Sequence, residues 1–203
     1  MKQILILSAI AVSLSIASAC SSSPETATTN RTANTTTANT ATTNAANTTK
    51  ADDTPAVVKA VFPDAQSFTT QHKDVPADKI ASIEKDTSSK VPNKDHHSYL
   101  AFSTAGGARK QIGAATVVKA DSKDVIIVYD NKDGSPVIKE VRADGVPAPF
   151  LAQFAGKGHD NDLLLGADIK ASGANEAQAK AITEAVRVDV LTMQALYGAA
   201  HKH

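Results

Sequence analysis

Residues 124–142 read DVIIVYDNKDGSPVIKEVR, and this stretch decides the fold. Val125, Ile126, Ile127 and Val128 are β-branched, a side-chain type that packs well on a pleated, partly buried surface, so 124–130 is a strand. Asn131-Lys132-Asp133-Gly134 interrupts it, and Gly134 can adopt the positive φ that a tight turn requires. Residues 135–142 run back along the first strand, with Val137 and Val141 in one phase. The unit is a β-hairpin.

Upstream, 110–119 and 98–103 read as two more strands, the latter carrying Tyr99, Leu100 and Phe102, and 66–73 as an extended segment. Short helices are predicted over 55–62, with Val57, Val58 and Val61 apolar, and over 76–85, with proline in the first turn and Ile80 and Ile83 on one face. Downstream, 149–154 is a short helix and 175–197 a long one. In the long helix Ile182, Val186, Met193 and Tyr197 fall near one stripe, reinforced by Ala185, Val190 and Leu196. Strands joined by tight turns and followed by helices specify an α+β domain, an antiparallel sheet with helices packed on it. Its extent, about 55–200, suits one domain.

The N-terminal quarter has a different chemistry. Lys2 is followed by a 13-residue apolar run, 4–16, interrupted only by serines, and then by Ala17-Ser18-Ala19. A charged start, a short apolar stretch and an A-x-A site make a secretory signal peptide over 1–19. The run is too short for a bilayer, which needs roughly 20 helical residues. Cys20 is the chain's only cysteine, so no intramolecular disulfide is possible. Its place directly after the cleavage site resembles the lipidation site of bacterial lipoproteins. Ala17 stands where that pattern usually has leucine, and ordinary signal peptidase would also cut after Ala19. Ser21, with no aspartate after the cysteine, resembles the outer-membrane sorting signal. The implied location is the periplasmic side of a bacterial membrane, with the lipid bilayer as a partner. Residues 21–50 are mostly Thr, Asn and Ala and lack the apolar surface that would offset ordering entropy, so 20–54 is expected to be a disordered tether, with a span of ~30 Å.

Composition excludes some functions. Lys plus Arg and Asp plus Glu both number 21, no basic stripe appears and Trp is absent. Nucleic acid is therefore not an expected partner. Phosphate-binding glycine loops and a nucleophile elbow are missing. His96-His97, His159-Asp160 and His201-x-His203 lack a recognisable second set of ligands, so no metal is expected.

The segment from Phe150 to Val190 carries the most specific motif. A Phe-x-x-x-Phe-x-Gly-Lys run (Phe150, Phe154, Gly156, Lys157) follows the hairpin, Asp168-Ile169 comes next, and Ser172-Gly173-Ala174 opens the long helix at Asn175. In that order these features resemble the FMN-binding domain family, flavin-bearing periplasmic subunits of sodium-translocating quinone reductases and related electron-transfer proteins. The resemblance spans roughly 99–191. It implies FMN as cofactor, electron transfer with a protein redox partner as function, and Ser172, Gly173, Ala174, Asn175, Phe154 and Lys157 as cofactor-binding residues. The residues themselves agree in part. Small side chains admit a ligand close to the backbone, and unpaired N–H groups at a helix N-terminus attract phosphate. Ser172 or Asn175 can equally act as a plain helix cap.

The departures limit that implication. Covalent members have threonine after Ser-Gly-Ala, whose hydroxyl carries the flavin phosphate; Asn175 has none. Glu176 places a negative charge beside the proposed phosphate, and the interval from Asp168 to Ser172 is one residue short. Noncovalent FMN and a binding module that has lost flavin both remain open.

Overall fold

A computed structural model describes residues 53–199. The expected signal peptide, Cys20, most of the expected tether and the histidines at 201 and 203 lie outside the described residues. The element order is α1 (Ala56–Val61), β1 (Ser67–Asp74), α2 (Ala77–Thr87), β2 (Asp95–Ser103), β3 (Lys110–Ala120), β4 (Lys123–Lys132), β5 (Ser135–Ala143), α3 (Ala148–Leu151) with a 3-10 turn (Ala152–Phe154), and α4 (Glu176–Tyr197). The five strands form one antiparallel meander in sequence order, so the α+β expectation is met.

The hairpin that ends it is tighter than the sequence suggests. β4 and β5 pair as far as Lys132 and Ser135, leaving a two-residue turn. Both turn residues, Asp133 (φ 54°) and Gly134 (φ 84°), are left-handed, the geometry that matches strand twist. Val125 to Tyr129 are all buried, without alternation, because both faces of the sheet are covered. One face receives α4, whose Ile182, Val186, Val190 and Met193 pack with Ile127, Tyr129, Ile138, Val141 and Phe150. On the other, Val58 and Phe62 cover Tyr99, Ala101, Ala115, Ile126 and Val128. Gly113 permits this second layer, since a Cβ there would lie 2.5 Å from the Phe62 ring.

Two expectations need correction. Val137 and Val141 do not share a face. The register shifts between Val128 and Tyr129, so Lys139 is an extra residue on β5, and Ile138 joins Val141 on the α4 side. β2 begins at Asp95 rather than at 98, which brings His96 and His97 into the sheet.

Candidate functional site

The most unusual chemistry lies beneath α4. Asp189, 3 % exposed, sits seven residues after Ile182 and three after Val186, on the stripe that packs against the sheet. Three successive strands supply its partners. Thr116 on β3 and Tyr129 on β4 donate to Oδ2 at 2.6 and 2.7 Å, and His96 Nε2 on β2 lies 3.0 Å from Oδ1. Antiparallel pairing puts these side chains on one face. With a proton on Nε2 the His96 ring donates to the Asp189 carboxylate. The ring's Nδ1 is buried and has no hydrogen-bond partner among the described residues. Burial, and behind it the Asp189 charge, pushes the Tyr129 hydroxyl well above its ordinary pKa, so it remains a donor.

A cleft of about 460 Å³ opens beside this cluster, bounded by His96, Tyr99, Thr116, Ala185, Val188 and Asp189. Its size and its mix of apolar walls with a few polar groups suit a small molecule. The same face continues in a polar seam at the end of α4. Ser98 Oγ and Tyr197 Oη lie 2.9 Å apart, and Lys73 Nζ stands 4.0 Å over the Tyr197 ring. Tyr197 is likewise shifted upward, chiefly by burial.

The residues singled out in the sequence occupy a different region. Ser172 (φ 44°) and Gly173 (φ 89°) form an exposed left-handed loop, with Ala174 and Asn175 leading into α4. Asn175 caps the helix, its Oδ1 accepting from Gln178 N–H at 2.8 Å. Gln153 braces the loop, with Nε2 bonded to Ser172 Oγ at 3.0 Å and Oε1 accepting from Lys170 N–H at 2.8 Å. Phe154 is fully buried and meets Phe150 edge-on at 5.5 Å, so its ring offers no face to a flavin. The resemblance implies a cofactor contact for Phe154; in the structure the ring lies in the core. The Gly156 and Lys157 backbones bond to Ile138, the first donating at 2.7 Å and the second accepting at 2.8 Å. The phenylalanine–glycine–lysine motif therefore docks this segment on β5, and its contact with the loop runs through Gln153.

His96 and His97 point to opposite faces of the sheet, as neighbours in a strand must. His97 meets His72 and Asp95 on the face away from α4. Hydrogen bonding from His97, supported by His72, holds the Asp95 carboxyl below its ordinary pKa. His159 is 3.0 Å from Asp160, its chain neighbour. No protein-family model, curated protein or solved structure matches the chain.

Proposed function

We propose that this chain is an exported lipoprotein, acylated at Cys20, whose folded domain binds a small ligand in the cleft beside Asp189. The observation that carries the reading is the buried carboxylate with its three partners. Desolvating a carboxylate costs several kcal/mol, and apolar residues would fill the same space with no such cost. Placed beside a cleft that His96 helps to line, the cluster has a use as a polar recognition floor for a small ligand. Catalysis by the domain itself is not part of this reading.

The second reading is a membrane-anchored, periplasmic FMN-binding protein that passes electrons to a redox partner. It draws on the resemblance and on the open loop before α4. Gly173 has room for close approach, since a Cβ there would meet nothing nearer than Pro147 at 3.8 Å. The N–H groups of Glu176 and Ala177 have no acceptor among the described residues, which suits a phosphate. Asn175 supplies no hydroxyl, so the flavin of this reading is noncovalent.

Protein released from its host's membranes under native conditions separates the readings by mass spectrometry, with free FMN titrated in parallel. Ala185→Trp fills the cleft; Gly173→Asp closes the loop and repels phosphate. A bound small molecule lost only in Ala185→Trp supports the cleft. Saturable quenching of FMN fluorescence, abolished by Gly173→Asp, supports flavin. Bare protein with no FMN uptake sinks both. Anchoring has its own test. Cys20→Ser is expected to move the protein from the membrane to the soluble fraction, and a wild-type chain without an acyl mass would end the lipoprotein assignment.

A further inference from the structure

The edge of the sheet carries a second constellation, independent of the cleft. β1 and β2 pair in a register that sets His72 opposite His97 and Asp74 opposite Asp95. Directly opposed residues share a face, as do residues two apart on one strand. His72, Asp74, Asp95 and His97 thus form a square patch at the outer end of β1 and β2. The patch is open to solvent, with side chains between 42 and 68 % exposed.

Three of the four side chains converge. His72 Nδ1 lies 3.2 Å and His97 Nε2 2.8 Å from the same oxygen, Asp95 Oδ2. One ligand atom from each lies within 4.8 Å of the other two. Tetrahedral zinc, with bonds of about 2.0–2.1 Å to nitrogen and oxygen, holds its ligand atoms roughly 3.3 Å apart. The observed separations reach that arrangement by small side-chain rotations, and all three side chains are between 42 and 48 % exposed, so they are free to make them. We propose that His72, His97 and Asp95 form a surface site for a zinc-class divalent transition-metal ion, with its fourth position open to water or an external ligand.

The chemistry selects that class. Two imidazoles and one carboxylate suit zinc, copper or nickel, whereas calcium and magnesium prefer all-oxygen sets. Binding needs no oxidant. Each imidazole carries its proton on the nitrogen that does not ligate, Nε2 in His72 and Nδ1 in His97, and the metal takes the other nitrogen's lone pair. Asp74 stands at the next register position, paired with Lys94 at 3.3 Å.

Calorimetric titration of the metal-stripped mature chain with Zn²⁺ tests the site, with Co²⁺ absorption reporting tetrahedral geometry. The terminal histidines, two residues apart, are another candidate pair of ligands, so a His201→Gln/His203→Gln variant runs alongside His72→Gln and His97→Gln. The expected result is one equivalent bound by wild type and by the terminal variant. Each sheet variant should lose at least about tenfold in affinity, the smallest loss typical of removing even a supporting group outside the ligand set. Unchanged circular dichroism would show that these exposed replacements leave the fold intact. Three results would overturn the site: no uptake by wild type, wild-type affinity in both sheet variants, or uptake lost only with the terminal histidines.

Discussion

Replacing Asp189 by alanine is expected to destabilise the domain by about 3 kcal/mol or more, because it strips several buried polar groups of their hydrogen-bond partner. The loss falls on three groups at once, because Thr116, Tyr129 and His96 all turn to this carboxylate. Each buried group left without its partner costs roughly 1–3 kcal/mol, and the costs do not simply add. Asparagine should behave differently. Its amide oxygen can still accept from Thr116 and Tyr129, and its NH₂ can donate to His96 once that ring carries its proton on Nδ1. Asp189→Asn is therefore expected to cost about 1 kcal/mol, the net value of an ordinary hydrogen bond. Thermal unfolding reads the contrast, with the alanine variant melting on the order of 10 °C lower. Equal losses for the two variants would mean that hydrogen bonding does not hold the cluster together. The combination Asp189→Leu, Thr116→Val, Tyr129→Phe, which leaves His96 as the one polar member of the cluster, sharpens the point. Well-packed apolar replacements of buried ion clusters are often neutral or stabilising. A stable triple variant that no longer binds the cleft ligand would show that the cluster serves recognition rather than stability.

The sheet was legible because its evidence is local. The β-branched run, the Asp133-Gly134 turn and the periodicity of α4 each lie within a few residues, and the meander follows from short connections between strands. The bulge at Lys139 was not legible. An extra residue changes which side chains face the core without altering composition, so Val137 was favoured over Ile138. The site was hidden for a related reason. Asp189 reads as a solvated helix residue, yet it shares the stripe of Ile182 and Val186 and stands between Val188 and Val190, both buried. That placement was the available signal. Its partners His96 and Thr116 are 93 and 73 residues away, and only the strand order brings them together. His72 escaped notice in the same way, 25 residues before His97 and directly across from it once β1 pairs with β2.

Phe154→Ala is the second substitution with a large expected effect, and it separates packing from ligand binding within the motif that suggested flavin. The ring is enclosed, edge-on to Phe150, in the core shared with Ile138, Leu163 and Ile169. Truncating a buried phenylalanine costs about 3–5 kcal/mol, from lost transfer energy and the cavity left behind. Denaturant unfolding should show that loss as a lower midpoint with an unchanged slope. The folded fraction should bind its ligand with near wild-type affinity. Lys157→Ala should change stability by no more than about 0.5 kcal/mol, because this residue's bonds to β5 are made by its backbone. Gln153→Ala should do the reverse of Phe154→Ala. It removes the side chain that braces Lys170 and Ser172, so it disturbs the loop before α4 while the core stays packed. Any ligand held at that loop would weaken with only a modest change in midpoint. The opposite pattern, with Phe154→Ala unfolding like wild type but losing FMN, would place the ring beside a flavin and reverse the assignment made from its burial.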